Sequence, residues 1–147
     1  MNQTYADNTS ETLLFPELEL HYAGFWDRFG AAFIDGLILV IPEFVVEYIM
    51  GTDGTQSFLF NLVLNWLYFS LQESGAAQAT IGKKALGLKV TNLSGDRISF
   101  GQATGRFFGK YLSAIILFIG YLMMLWDEKK QTLHDKMAGT LVLKQVS

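Results

Sequence analysis

The run from Arg28 to Met50 (RFGAAFIDGLILVIPEFVVEYIM) constrains the fold more than any other part of the chain. It is long and apolar enough to cross a bilayer, which takes about 20 residues. It also holds Asp35, Glu43 and Glu47. A carboxylate at the centre of a membrane helix costs roughly 2.5–3.5 kcal/mol on insertion scales. Three of them offset much of the apolar gain unless they face protein or water. Such a helix needs partners, and the rest of the chain has to supply them.

Composition agrees. The 147 residues are 50% hydrophobic, which a soluble domain can also reach, but here the apolar residues gather in three blocks, the pattern of membrane helices. The expected class is an all-α membrane protein. It would be a small polytopic helical bundle, two full spans plus a broken or third membrane helix, with a minor cytoplasmic β-strand pairing. A net charge of −3 and scattered basic residues leave no nucleic-acid footprint. With no cysteine there is no thiolate metal site, and two histidines are too few for a histidine site. No cofactor is expected. Residues 1–20 carry no Lys or Arg and no long apolar run, so they read as a mobile polar tail and not a signal peptide. Residues 21–147 then form one domain.

At about 100° per residue, Asp35 lies about 20° from Arg28, with Glu43 about 80° and Glu47 about 120° around from Asp35. This predicts one polar stripe, with Leu37, Ile41, Phe44 and Tyr48 left for lipid. Pro42 frees the Ile38 carbonyl and predicts a kink. Tyr22 and Trp26, just before the span, suit the headgroup layer. The second block, Phe58 to Leu71, reaches spanning length only with its flanks. Its Asn61, Asn65, Tyr68 and Gln72 form a helical polar stripe, the counterpart to the acids of the first span.

A basic loop follows, with Lys83, Lys84, Lys89 and Arg97. Leu88–Thr91 alternates like a strand, and residues 97–100 are expected to form a short return strand after the Ser94-Gly95-Asp96 turn. Lys83, Lys84 and Arg106 are candidates for anionic lipid headgroups, with Arg106 and Lys110 reaching the surface along their aliphatic stems. Gly101, Gly105, Gly109 and Ser113 recur every four residues, the spacing of a close-packing seam through which a homo-oligomer could form. A last strand is predicted at Thr140–Lys144.

Residues 51–57 carry no Lys or Arg, whereas residues 75–105 carry four. The positive-inside rule therefore places the N-terminus and the 75–105 loop in the cytoplasm, with the chain multi-pass in the cell inner membrane. The final stretch, with Lys129, Lys130, Lys136 and Lys144, belongs on the same side. A single crossing from Phe107 to Trp126 would put it outside. The expectation is that residues 100–126 form two helical pieces, broken around Phe118–Gly120, that return to the cytoplasmic face; three straight spans is the alternative. Strands at 88–91 and 140–144 could pair only from one side.

Three segments now stand out in order: AGFWDRFGAAFIDGLIL, then TIGKKALGLKV with its following turn, then KKQTLHDKMAGTLVL. Together they cover Tyr22 to Lys144 and resemble the RDD family of small bacterial membrane proteins. The resemblance implies that the family's arginine is Arg28 and its two aspartates are Asp35 and Asp135. It implies class and location and brings no activity with it.

Two functional readings remain. In the first, Asp35, Glu43, Glu47, Asn61 and Asn65 build a proton or cation site and the chain is transport-linked, handling H⁺ or Na⁺. In the second, the buried charges are packing devices of a non-catalytic membrane module, an assembly factor or partner subunit. Catalysis is not expected, because no serine or cysteine nucleophile has a suitable setting and the adjacent His134 and Asp135 point different ways on a helix. Asp135 is expected to bond basic segments near Lys83, Lys84 or Arg106. Arg28 and Asp35 are separated by about 10.5 Å of helical rise, too far for a direct pair. Arg28 is therefore expected to meet phosphates, Asp27 or a carboxylate of another segment.

Overall fold

The structure, a computed structural model, describes residues 21–51, 54–116 and 119–144. The expected tail at 1–20 and Phe118 of the expected break lie outside these residues.

Strand β1 (His21–Tyr22) leads into α1 (Phe25–Met50), a helix of 26 residues that continues through Pro42. Asp27 closes its first turn by accepting the Gly24 N–H at 3.1 Å. Gly51 ends it in left-handed backbone, φ 52°, where a β-carbon would be strained. Helix α2 (Gly54–Ser74) runs back antiparallel, so that Asn65 meets Glu43 and Tyr68 meets Asp35. Short helix α3 (Ile81–Ala85) is capped by Thr80, whose hydroxyl accepts the Lys83 N–H. Strand β2 (Leu88–Asn92) precedes α4 (Phe100–Ile115). The return strand expected at 97–100 does not form. Ser99 and Gln102 instead exchange side-chain to backbone hydrogen bonds of 3.1 and 3.0 Å, and this capping box starts α4. Then come α5 (Ile119–Leu122) with a single 3₁₀ turn, α6 (Leu133–Ala138) and β3 (Thr140–Lys144).

The three strands form one antiparallel sheet in the order β1-β3-β2, with Tyr22 opposite Leu143 and Val90 opposite Val142. The expected pairing of the 88–91 and 140–144 segments is present, and β1 adds a third strand. Tyr22 is thus a half-buried sheet residue, while Trp26 stays exposed. A small apolar core of Ala23, Ala31, Val90, Ile98, Ala103 and Val142 lies among the sheet, α1 and α4.

The molecule is mostly helical. Among the described helices α1 alone is by itself long and apolar enough to cross a membrane, and only 17% of its most apolar window is buried. A core helix of a soluble protein would be mostly covered. Helix α4 and the α5 piece reach the same measure only together, with their axes 114° apart. Helix α2 has the length, 21 residues, or about 31 Å, but its amides and Glu73 dilute its hydropathy. Of the membrane elements expected, α1 is the one clear candidate span among the described helices, and α4 with α5 passes only as a bent pair.

Helix α4 is amphipathic in the inverted sense. Arg106, Gly109 and Ser113 face inward, while Phe108, Leu112 and Ile115 face outward. The outer surface of α1 is likewise Phe33, Leu37, Ile41, Phe44 and Tyr48. Contiguous apolar surface on this scale suits hydrocarbon, not water.

Candidate functional site

The polar residues that the apolar exterior displaces inward converge where the helices meet the sheet. Glu73 ends α2 and Lys83 stands in α3; their side chains are ion-paired. The other Glu73 oxygen accepts Arg106 Nε of α4 at 3.0 Å. The Arg106 guanidinium also pairs with Asp135 of α6, and the remaining Asp135 oxygen pairs with Arg28 of α1. The result is an alternating chain, Arg28–Asp135–Arg106–Glu73–Lys83, with each member on a different helix. Arg106 is 1% exposed and Asp135 0%, so these are ion pairs away from bulk water. Such pairs persist only when the leftover donors and acceptors are met. They are: Arg106 donates to the Thr140 hydroxyl at 2.5 Å, Arg28 to the Lys130 carbonyl at 2.7 Å, and Asp135 accepts the Thr132 N–H at 3.1 Å. Burial alone would raise the Asp135 pKa, but Arg106 and Arg28 outweigh it and hold the carboxyl well below the usual carboxylate range.

This geometry corrects two sequence expectations. Lys83 and Arg106 are buried ion-pair partners and not headgroup contacts; of the three proposed headgroup residues only Lys84 is exposed. Arg28 finds a carboxylate of another segment, and Asp135 bonds Arg106 as expected, but neither Lys83 nor Lys84.

Asp35 is also buried, 1% exposed, and takes three hydrogen bonds: from Thr80 Oγ1 at 2.5 Å, Tyr68 OH at 2.8 Å and the Gly82 N–H at 2.8 Å. The last of these needs a close approach. A β-carbon on Gly82 would collide with the Ala31 carbonyl oxygen. Asp35 thus fastens α3 to α1.

The remaining candidates are dispersed. Glu43 accepts Asn65 Nδ2 at 2.6 Å, and the same amide donates to the Asn61 carbonyl at 2.8 Å. Asn61 Oδ1 is buried without a hydrogen-bond partner among the described residues. Glu47 is exposed near the far end of α1. The acidic stripe therefore divides along its length and does not gather in one site. The four-residue ladder divides too. Gly109 lies against His134 and Ser113 against Gly120, whereas Gly101 and Gly105 are exposed. The half that packs closely does so within this chain, on α6 and α5.

A cavity of about 420 Å³ opens between α1 and α4. Arg28, Asp35, Lys83, Arg106, Lys110 and His134 contribute to its polar part. His134 contacts Thr132 Oγ1 at 3.0 Å and Ser113 Oγ at 3.4 Å, and burial pushes its imidazole down to about 3 despite Asp135 beside it. It is a neutral ring at neutral pH. Sequence reasoning passed over Glu73, Thr80 and the inward turn of Lys110. Glu73 had a usable signal, a lone acid ending an apolar helix ten residues before Lys83. Thr80 had a weaker one, its place as cap of α3.

No solved structure matches the chain. The family model described as "RDD family" matches residues 22–139. The uncharacterized protein YxaI of Bacillus subtilis (strain 168) is 38% identical over 146 residues, 82% of this chain and 96% of that protein. The uncharacterized membrane protein YteJ of the same strain is 31% identical, over 99% of this chain and 97% of its own length. A proline-rich antigen homolog of Mycobacterium tuberculosis is 36% identical over 98 residues, 66% of this chain but 38% of that protein. A family model that matches most of the chain and two relatives above 30% identity over most of its length show that the chain belongs to the RDD family.

Proposed function

We propose that the protein is an integral, non-catalytic membrane module, an assembly or partner subunit, whose buried charges are structural. The observation that carries this reading is the five-helix ion-pair chain together with the three donors on Asp35. Every member is committed to protein partners, which is how a fastening behaves. A carrier site for H⁺ or Na⁺ has to empty and refill. By the positive-inside rule the sheet end lies in the cytoplasm, where it and the exposed Lys84 meet soluble partners or lipid headgroups.

Transport is the second reading, and one spot favours it. Glu43 and Asn61 are linked through the Asn65 amide, and Asn61 keeps a buried Oδ1 with no hydrogen-bond partner among the described residues. Proteoliposomes loaded with pH- and sodium-sensitive dyes separate the two. A structural module shows no flux above protein-free vesicles, and Asp35→Asn lowers its melting temperature, because the amide offers a donor where three donors already point. Ion flux in the wild type that Asp35→Asn abolishes without loss of stability would make the protein a transporter.

A further inference from the structure

The cavity between α1 and α4 has more positive charge around it than the ion-pair chain absorbs. Its cations are Arg28, Lys83, Arg106 and Lys110, and the first three are held by Glu73 and Asp135. Asp35 is held by Thr80, Tyr68 and Gly82. Lys110 makes no ion pair among the described residues; its ammonium lies 4.2 Å from the centre of the Phe69 ring. An ammonium on an aromatic face in a low-dielectric setting still lacks a counter-charge. Apart from Asn65, Thr132 and the neutral His134, the rest of the lining is aromatic or apolar, with Phe25 and Phe29 of α1, Tyr111 of α4, then Tyr121 and Met124. Two small exposed residues, Ala32 of α1 and Ala114 of α4, are also in its lining, on helices whose outer faces are apolar. The volume falls within the ~300–1,000 Å³ of small-ligand sites.

We propose that this cavity binds an anion carried on an acyl chain, entering sideways from the bilayer. The carboxylate or phosphate pairs with Lys110 and the chain lies along Phe25, Phe29 and Tyr111 and leaves between Ala32 and Ala114. The site is independent of whether the buried ion pairs serve packing or transport. Neutral lipids lack the charge Lys110 needs, and a free inorganic anion lacks the tail that the aromatic walls cover.

Native mass spectrometry of the full chain in neutral detergent tests this with four probes: palmitate, lysophosphatidylglycerol, hexadecanol and inorganic phosphate. The expected result is saturable binding of palmitate or lysophosphatidylglycerol, with the tighter of the two identifying the headgroup, and neither hexadecanol nor phosphate held. Lys110→Gln should weaken binding about tenfold or more, as loss of a charge-assisted contact does, while Lys84→Gln leaves it unchanged. Ala114→Phe crowds the lining without touching the charge, so it reports even where Lys110→Gln does not fold, and it should also weaken binding. The proposal is overturned if hexadecanol binds as tightly as the acyl anions, if phosphate alone suffices, or if Ala114→Phe and a folded Lys110→Gln both bind like the wild type.

Discussion

Arg106 shows how much one residue can be asked to do when it cannot reach water. Its guanidinium meets Glu73, Asp135 and Thr140, from three separate elements. A lysine has the charge but not the planar fork that contacts two carboxylates at once. His134 sits beside this centre and gives it a measurable signature. Its folded-state pKa is pushed down to about 3 by burial, below the ordinary 6.5. The unfolded chain therefore binds the proton first. The stabilisation is complete above about 6.5 and is lost as pH falls toward 3, with a slope of up to about 1.4 kcal/mol per pH unit. Asp135 acts in the same direction at lower pH: its depressed pKa contributes stability above the ordinary carboxylate range and loses it in stronger acid. Thermal melts in neutral detergent should show the wild type weakening from pH 6.5 to 4. His134→Gln should be flatter across that range and then fall with the wild type once carboxylates protonate. An equal slope in both proteins would mean that His134 is not the group held neutral.

At the scale of elements, the interfaces are set by what small residues permit. Helix α3 can lie against α1 only because Gly82 has no side chain, and that approach brings its N–H to Asp35. Gly82→Ala should cost about 1–3 kcal/mol, the usual range for overpacking. Gly105 gives the control, with nothing within 4 Å of the place a β-carbon would take. Gly105→Ala should be neutral or stabilise by up to about 1 kcal/mol, since alanine is the better helix former. Melting temperatures of the two variants decide between this and a seam running through all four small residues, which would make Gly105→Ala costly as well. The spacing of Gly101, Gly105, Gly109 and Ser113 could not tell the two apart, because a period of four says which residues share a face and not what covers it. The same limit applies to Lys83 and Arg106. A basic residue near a helix end commonly snorkels, and the carboxylates that turn these two inward, Glu73 and Asp135, come from elsewhere in the chain. What was legible followed local geometry: α1 from its apolar run, the Asn65–Glu43 and Tyr68–Asp35 contacts from matching stripes on two antiparallel helices, and the β2–β3 pairing from alternation.

For the whole molecule, the arrangement is a protein turned outward: ion pairs at its centre, phenylalanine and leucine on its exterior. That inversion explains why the three acids of α1 are tolerated to different degrees. Asp35 reaches the centre, Glu43 borrows an amide, and Glu47 lies at the exposed end. It also ties the folding of the sheet end to the path of the chain, since β1, β2 and β3 pair only if the segments before α1, after α3 and after α6 share one side. If α1 crosses the bilayer and α2 returns, a broken α4–α5 element, its two pieces 114° apart, keeps β3 on the side of β2. Because the sequence has no cysteine, single substitutions report sidedness without background. Ser94→Cys and Lys129→Cys occupy exposed positions after β2 and before α6, and Thr55→Cys an exposed position at the start of α2. In sealed vesicles an impermeant maleimide should modify the first two from one side and Thr55→Cys from the other. Three straight spans would instead put Lys129→Cys with Thr55→Cys, and then β3 could not pair with β2 without the chain passing through the bilayer a further time.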